Sequence, residues 1–272
     1  MRDWENSVAF ITGGGQGIGL GIARALGRRG VRLALADVDE AALTRAGEEL
    51  SRLTAVETVP LDVRDRQGFA SAADLVEARL GPVDLLFNNA GIVPVSPVTE
   101  LTYEKWDLAL GVNLTGVVNG LQTFLPRMIE RGAGGYVVNT ASGAGLVADA
   151  NVLYVTGKFA VVGLSESLRL ALGRYGIDVS VLCPGPVDTD IIRNTRTVNE
   201  DLFAGVPGSA LRDAEAFLRG GVGIDAVGEM VIAGMRARSL WIHTSDEVRP
   251  SVEARMTDLL ASTPVPVVDA TS

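Results

Sequence analysis

The sequence contains few of the residue types on which disulfide and metal chemistry depend. Its 272 residues include one cysteine and one histidine. A single cysteine cannot form an internal disulfide, and Cys183 ends the apolar run 179–183, which is typical of a buried strand. Cys, His, Asp and Glu residues do not occur at the spacing of a zinc site. The sequence therefore predicts a protein without disulfides and without a bound metal ion.

Positive charge and long apolar runs are also scarce. The chain has 24 Lys and Arg residues against 33 Asp and Glu residues, which gives a formal net charge of -9. Such a chain repels nucleic-acid phosphates unless a basic patch covers one face, and the arginines here are scattered. No apolar run approaches the roughly 18 residues of a membrane span, and residues 1–5 lead directly into an apolar strand, without a signal peptide. We therefore expect a soluble, cytoplasmic protein that binds neither nucleic acid nor membranes.

The sequence is rich in short apolar runs that alternate with segments of helical periodicity. Continuously apolar strands separated by helices of a dozen residues or more are typical of a parallel sheet covered on both faces. We therefore predict one α/β domain over residues 1–272, a Rossmann fold with a doubly wound parallel sheet of about seven strands and helices on both faces. The predicted strands are 7–11, 31–36, 56–61, 83–87, 136–139, 179–182 and 240–243.

Two segments lie outside this alternation. Residues 190–223 are too many for an ordinary connection, and we predict a substrate lid loop there. The apolar residues of this segment favour an apolar substrate, although its arginines leave an anionic substrate open. Residues 262–272 contain two prolines and are predicted to form an extended tail.

A glycine-rich turn, Thr12–Gly19, connects the first predicted strand to the first helix. Backbone N–H groups at the start of such a helix can face a pyrophosphate, and side chains would block its approach. Gly13 allows the tight turn, Gly17 the close passage of phosphates, and Gly19 close packing of helix on strand. An ordinary turn is the alternative, but the position between strand and helix favours a dinucleotide site.

Asp37 ends the second predicted strand, about twenty residues after the glycine turn. A carboxylate there can accept hydrogen bonds from the adenosine ribose hydroxyls and would repel a 2′-phosphate. Neither Val38 nor Gln16 supplies a compensating positive charge, so the sequence favours NAD over NADP. The alternative is that Asp37 only caps the helix that begins near Glu40.

These motifs resemble the short-chain dehydrogenase/reductase family over nearly the whole chain. The glycine turn matches the Thr-Gly-x-x-x-Gly-x-Gly motif in full, and Tyr154 and Lys158 form a Tyr-x-x-x-Lys motif with Ser142 twelve residues upstream. The resemblance implies that further residues hold the cofactor's adenine, line its path or surround the nicotinamide. With the glycine turn, the implied cofactor residues are Gly13, Gly15, Gln16, Gly17, Ile18, Gly19, Asp37, Val38, Asp62, Val63, Asn89, Ala90, Gly91, Tyr154, Lys158, Pro184, Gly185, Val187 and Thr189.

The spacing of Tyr154 and Lys158 explains how such a site could work. Residues four apart on a helix share one face. A phenol is a weak base at neutral pH, and we expect the Lys158 ammonium to lower the pKa of Tyr154, so that Tyr154 serves as base for alcohol oxidation and acid for carbonyl reduction. Ser142 is expected to orient the substrate oxygen. The resemblance further implies that Lys158 binds the nicotinamide ribose and that Asn113 holds a water for a proton relay.

We therefore predict an NAD-dependent oxidoreductase that moves a hydride between nicotinamide and a secondary alcohol or ketone. A weaker resemblance, in residues 111–129 and 240–260, to the branch that oxidises benzylic alcohols of lignin-derived aryl ethers favours a bulky or aryl substrate. A nucleotide-sensing binding protein on the same fold is the alternative. An epimerase or dehydratase is disfavoured because the chain lacks a separate substrate domain.

The family resemblance also bears on assembly. It implies a homodimer or homotetramer built through the helices around 102–131 and 152–175, with the last strand and helix as a second interface.

Overall fold

Seven short strands form one sheet in the computed structural model, which describes residues 4–264. Their apolar side chains are buried on both faces because helices cover the sheet on both sides. The strands are β1 (Val8–Thr12), β2 (Arg32–Asp37), β3 (Val56–Pro60), β4 (Leu85–Asn88), β5 (Gly135–Thr140), β6 (Ile177–Cys183) and β7 (Trp241–His243). All neighbours are parallel, in the order β3-β2-β1-β4-β5-β6-β7. The predicted fold class is therefore confirmed.

Ten α-helices lie within residues 4–264. Two of them begin at an aspartate whose carboxylate accepts a backbone hydrogen bond: Asp39 from the N–H of Ala42, and Asp65 from the N–H of Gln67, both at 2.9 Å. The helices are α1 (Gly17–Gly27), α2 (Glu40–Leu50), α3 (Arg66–Leu80), α4 (Tyr103–Leu110), α5 (Gly116–Arg131), α6 (Val152–Leu172), α7 (Ile191–Val198), α8 (Gly208–Arg219), α9 (Ile224–Arg236) and α10 (Arg249–Ser262).

The sheet separates two apolar cores. On one face α3, α5 and α6 pack on the strands, and the buried rings of Phe10 and Phe124 lie 4.6 Å apart between centroids. On the other face α1, α2 and α9 cover the same strands, with Ile22 and Leu26 fully buried. Burial of each large apolar side chain contributes about 1.5–3 kcal/mol. The doubly wound arrangement therefore places the core on both sides of β1.

Helix α9 is an element that the sequence analysis does not predict. It packs so closely on α1 that a Cβ on Gly21 would lie 2.1 Å from the carbonyl oxygen of Ile224. A Cβ on Gly228 would likewise lie 2.2 Å from the carbonyl oxygen of Gly21. Ion pairs flank this contact, including Arg29 with Glu229 at 2.6 Å. Helix α9 thus supports the helix that follows the glycine turn.

The prediction of a loop at residues 190–223 is wrong, because the segment contains α7 and α8. Both helices are amphipathic, and apolar residues of this segment, among them Ile192, Leu202 and Phe203, are buried against Ile92. An isolated parallel β-bridge joins Val187, just before the segment, to Val222, near its end. Of the predicted tail, 262–272, Ser262 belongs to α10, and residues 265–272 lie outside the described residues.

Helices α4 and α5 form one continuous helical stretch, 103–131, interrupted by a π-helical turn at Gly111–Thr115. By length and composition this stretch could cross a membrane, but half of its 18-residue apolar window is buried inside the domain, as in the core helix of a soluble protein. A π-helical turn widens the helix locally and often occurs at functional sites. Here it contains Asn113.

Candidate active site

The glycine turn lies at the carboxyl end of β1, where the strand order reverses between β2 and β4. In open parallel sheets, ligands bind at this switch point. Gly13 and Gly17 have φ values of +63° and +54°, which favour glycine, and a Cβ on Gly19 would lie 2.0 Å from the carbonyl oxygen of Gly13. Gln16, which precedes α1, makes no side-chain capping hydrogen bond. The N–H groups of the first turn, including that of Ile18, therefore suit the pyrophosphate of a dinucleotide.

Asp37 lies beside this turn. Its carboxylate is 7% exposed and accepts hydrogen bonds from the N–H groups of Gly15 and Asp39, both at 3.1 Å. Burial raises the pKa of Asp37, although these hydrogen bonds lower it in part. Val38 is 64% exposed. Because Asp39 is the residue that caps α2, the carboxylate of Asp37 serves the glycine turn rather than the helix.

The turn after β4 is held to the end of β1 by Thr12. The hydroxyl of Thr12 accepts hydrogen bonds from the N–H groups of Asn89 and Ala90, at 2.9 and 3.0 Å. The Asn89 amide donates to the carbonyl oxygen of Thr12 at 3.1 Å and accepts from the hydroxyl of Thr140 at 3.3 Å. Asn89 therefore links the carboxyl ends of β1 and β5 across β4.

The pair Asp62 and Val63 follows β3. Asp62 is bonded to Arg64 at 2.6 Å, and this guanidinium lowers the pKa of the carboxyl. Val63 is buried, and a Cβ on Gly116 would lie 2.7 Å from its Cγ2 atom. A candidate adenine residue is thus paired with a cation, and its neighbour packs against α5.

The predicted nicotinamide segment follows β6. The carbonyl oxygen of Pro184 accepts a hydrogen bond from the N–H of the residue after Ser142, at 2.8 Å. Gly185 donates its N–H to the Thr244 hydroxyl at 3.0 Å, and Val187 is buried. The methyl carbon of Thr189 lies 3.5 Å from the position of a Cβ on Gly17. This segment and the glycine turn therefore face each other across the carboxyl end of the sheet.

Tyr154 and Lys158 lie one helical turn apart on α6, as predicted from their spacing. The Nζ atom of Lys158 lies 5.6 Å from the centroid of the Tyr154 ring. The Ser142 hydroxyl lies close enough to the Tyr154 hydroxyl to lower the pKa of the phenol, and it accepts from the N–H of Ala144 at 3.2 Å. The three residues expected to act on the substrate oxygen are therefore neighbours.

The electrostatics of this cluster differ from the expectation. Burial raises the pKa of Tyr154, and the Ser142 hydrogen bond opposes this only in part. Lys158 is 3% exposed, its Nζ donates to the carbonyl oxygen of Thr140 at 3.0 Å, and burial lowers its pKa to about 8. The predicted lowering of the Tyr154 pKa by Lys158 is therefore wrong for this arrangement, because desolvation dominates and the ammonium is bonded elsewhere.

Asn113 completes the cluster from the π-helical turn. Its amide is 1% exposed and is bonded twice to the backbone of Ile92, accepting from the N–H and donating to the carbonyl oxygen, both at 2.9 Å. A Cβ on Gly91 would lie 3.1 Å from Oδ1 of Asn113 and 3.4 Å from Nζ of Lys158. Asn113 and Lys158 therefore flank Gly91, and the four predicted catalytic residues are brought together.

The sequence analysis misses a buried polar network behind the cluster. Asn88 donates to Asn139 at 2.9 Å, and Asn139 donates to the hydroxyl of Ser165 at 3.1 Å. All three side chains are buried, so this network ties α6 to β4 and β5. The sequence signal for this network was an asparagine at or near the end of two apolar strands.

Cys183 is buried, as predicted, and its pKa is raised to about 12 by burial.

The fold and the clustered hydroxyl, phenol and ammonium groups place this chain among the dinucleotide-dependent oxidoreductases. Comparison with protein families is more specific. A family model described as short chain dehydrogenase matches residues 7–200. The chain belongs to the short-chain dehydrogenase/reductase family, whose members use NAD(H) or NADP(H).

Several relatives are named as dehydrogenases, two of them of polyols. C alpha-dehydrogenase from Sphingobium sp. (strain NBRC 103272 / SYK-6) is 34% identical over 270 residues, which cover 96% of this chain and 88% of that protein. Galactitol 2-dehydrogenase from Agrobacterium fabrum is 36% identical over 185 residues, or 68% of this chain and 72% of that protein. A solved short-chain dehydrogenase/reductase from Burkholderia phymatum, in complex with NAD, matches with a TM-score of 0.90 at 32% identity and covers 98% of this chain and 100% of that chain. The protein is an oxidoreductase that acts on alcohols.

Proposed function

We propose that this protein is an NAD-dependent dehydrogenase of secondary alcohols and the corresponding ketones. One observation carries the proposal: Tyr154 lies beside Ser142, one helical turn from Lys158 and at the same edge of the sheet as the glycine turn. When bound, the nicotinamide dinucleotide exchanges a hydride with the substrate carbon. The chain's own residues then have to handle the proton on the substrate oxygen.

Tyr154 takes that proton during alcohol oxidation and returns it during ketone reduction. Ser142 donates a hydrogen bond to the same oxygen and so fixes its position relative to the phenol. With a pKa of about 8, Lys158 is largely protonated at neutral pH, so it can bind the nicotinamide ribose. Asn113 supports a proton relay because its turn borders both Lys158 and Gly91.

The preference for NAD rests on Asp37. Its carboxylate is held at the glycine turn by the N–H of Gly15, where it can accept hydrogen bonds from ribose hydroxyls. Charged Asp37 would repel a 2′-phosphate, and neither Gln16 nor the exposed Val38 offers a positive charge. These contacts support NAD as the cofactor.

For the substrate, we propose an apolar, bulky or aryl secondary alcohol. The similarity to a C alpha-dehydrogenase over 96% of this chain supports this class. The apolar residues that segment 190–223 contributes next to Ile92 also favour it. A polyol is the main alternative to test, because a galactitol 2-dehydrogenase is among the relatives.

We also infer a cytoplasmic homodimer or homotetramer. The single buried thiol suits a reducing compartment. On the helices expected to form the interface, Val118 is 36% and Leu170 is 86% exposed, and association would cover both.

The test is a panel of an aryl secondary alcohol, an aliphatic secondary alcohol and a polyol, each with NAD and with NADP. Tyr154→Phe should lower kcat by about 10²–10⁴-fold while NAD binding persists, because only the proton-transfer group is lost. Tyr103→Phe is the matched control, since Tyr103 is 86% exposed at the start of α4. If Tyr154→Phe kept a substantial rate, the acid/base role would be wrong. If the natural chain bound NAD but oxidised none of the alcohols, a nucleotide-sensing protein would be the better description.

A further inference from the structure

Segment 190–223, here called the lid, is held against the loop that follows the turn after β4. This loop, residues 92–97, is called the pocket loop. The N–H of Val93 donates to the hydroxyl of Thr195 on α7 at 2.9 Å. The N–H of Val95 donates to the carbonyl oxygen of Leu202 at 3.1 Å. Two consecutive parts of the lid are therefore bonded to the backbone of the pocket loop.

The Thr195 hydroxyl is well suited to make this contact. Thr195 is fully buried, and its hydroxyl donates to the carbonyl oxygen of Ile191 at 2.8 Å while it accepts from Val93. Both its donor and its acceptor functions are thus used, and the donor bond fixes the direction of the lone pair that faces Val93. Removal of the hydroxyl would leave the Val93 N–H without this partner at a partly buried position, which destabilises the contact.

The pocket loop is also fixed on its other sides. Ile92 is bonded through both its N–H and its carbonyl oxygen to Asn113, and Ser96 accepts a hydrogen bond from the buried Lys105 at 2.9 Å. Ile92 and Val93 are adjacent, so the residue bonded to the lid directly follows the residue bonded to Asn113. The position of the lid is therefore tied to the loop that borders the catalytic cluster.

We propose that Thr195 is a positioning residue that holds the lid on the pocket loop, and that affinity for the alcohol substrate depends on this contact. The inference rests on the proposed function, because it assumes that the alcohol binds beneath the lid. NAD affinity should not depend on Thr195, because the glycine turn and Asp37 are held by separate hydrogen bonds.

Three variants of the full-length chain test this proposal. Thr195→Val keeps the size of the side chain and removes the hydroxyl, whereas Thr195→Ser keeps the hydroxyl. Thr197→Val is the matched control, because Thr197 lies on the same helix, donates to the carbonyl oxygen of Arg193 at 3.2 Å and is exposed. Each variant is measured for substrate KM and kcat, for NAD affinity, and for hydrogen exchange of the backbone amides of Val93 and Val95.

Thr195→Val should raise substrate KM and the exchange rate of the Val93 amide, each about tenfold, with kcat and NAD affinity unchanged. Thr195→Ser and Thr197→Val should behave as the natural chain. Equal effects of Thr195→Val and Thr197→Val, unchanged exchange at Val93, or an equal loss of NAD affinity would each overturn the proposal. Hydrogen exchange can be measured without enzymatic turnover. If Thr195→Val raised the exchange rate at Val93 but the natural chain oxidised no alcohol, the proposed function would be refuted. The dependence of substrate affinity on Thr195 would then be refuted with it.

Discussion

At the scale of single residues, Lys158 is a charged group almost removed from water. It is 3% exposed, and its ammonium donates to one backbone carbonyl, that of Thr140. Burial lowers its pKa from the ordinary 10.5 to about 8. Between these values the unfolded chain holds a proton that the folded chain has released, so the free energy of unfolding should rise with pH from about 8 to 10.5. The penalty is fully present below pH 8 and amounts to about 3 kcal/mol.

Lys158→Met should therefore stabilise the fold at pH 7 while abolishing activity. We expect a gain of about 2 kcal/mol, because the lost hydrogen bond to Thr140 offsets part of the relief. Urea unfolding at pH 7 and at pH 9.5 measures this gain and the pH dependence, which should disappear in the variant. Lys105→Met is the control, since it removes the chain's other lysine, also buried, and should leave the dependence intact. A variant less stable than the natural chain at pH 7 would contradict this view of Lys158.

Asp37 is the second residue whose burial has a testable effect. Asp37→Ala should raise KM for NAD by at least about tenfold, because charge-assisted hydrogen bonds to ribose are lost, and should change KM for NADP much less. Asp39→Ala removes the neighbouring carboxylate and the cap of α2, and should leave the ratio of the two constants unchanged. Since the pKa of Asp37 is raised, the preference for NAD should also weaken as the pH falls towards that pKa and the carboxylate gains a proton. Equal changes for both cofactors in Asp37→Ala would defeat the assignment.

At the scale of elements, the contact between α1 and α9 depends on glycine. A Cβ on Gly21 would meet a backbone carbonyl oxygen at 2.1 Å, which no side-chain rotation can relieve. Gly21→Ala should therefore destabilise the fold by about 3 kcal/mol and weaken NAD binding, because α1 carries the glycine turn. In Gly173→Ala the new Cβ has no neighbour within 4 Å, and φ is -54°, so stability should hold or improve by about 0.5 kcal/mol. Denaturant unfolding of both variants measures the difference, and similar stabilities would show that α1 and α9 do not pack this closely.

The same contact shows where sequence analysis succeeds and where it stops. Strands and long helices such as α6 follow from periodicity, because their apolar residues alone define a buried face. Helix α9 does not, because Gly228 and Gly234 weaken its intrinsic helical preference and its stability comes from packing on α1. Helices α7 and α8 are too short to be stable alone and form where Ile192 and its neighbours become buried.

The candidate site shows a similar division. Tyr154, Lys158 and the glycine turn can be predicted because fixed spacings on a helix and a turn determine which groups share a face. The pKa of Tyr154 cannot, because it depends on how far burial outweighs the Ser142 hydrogen bond in the folded chain. The role of Thr195 is equally invisible in the sequence, since its partner lies 102 positions away.

At the scale of the whole molecule, the parallel sheet explains how distant motifs meet. Every strand points the same way, so the residues that follow β1 to β6 all emerge at one edge. Asp37 ends β2, Ser142 follows β5 and Gly185 follows β6. The topology therefore brings together site residues from Gly13 to Thr189.

The strand order also has a consequence for synthesis. β1 pairs with β4 through Ala9–Leu85, Phe10–Leu86 and Ile11–Phe87, and these partners are separated by 76 residues. At ribosomal speeds the second partner follows the first by roughly 4 to 15 seconds, and until then the apolar flank of β1 is open to any other strand. The glycine turn is thus synthesised well before β4 can cover the exposed edge of β1. A molecular chaperone would be most useful during this interval.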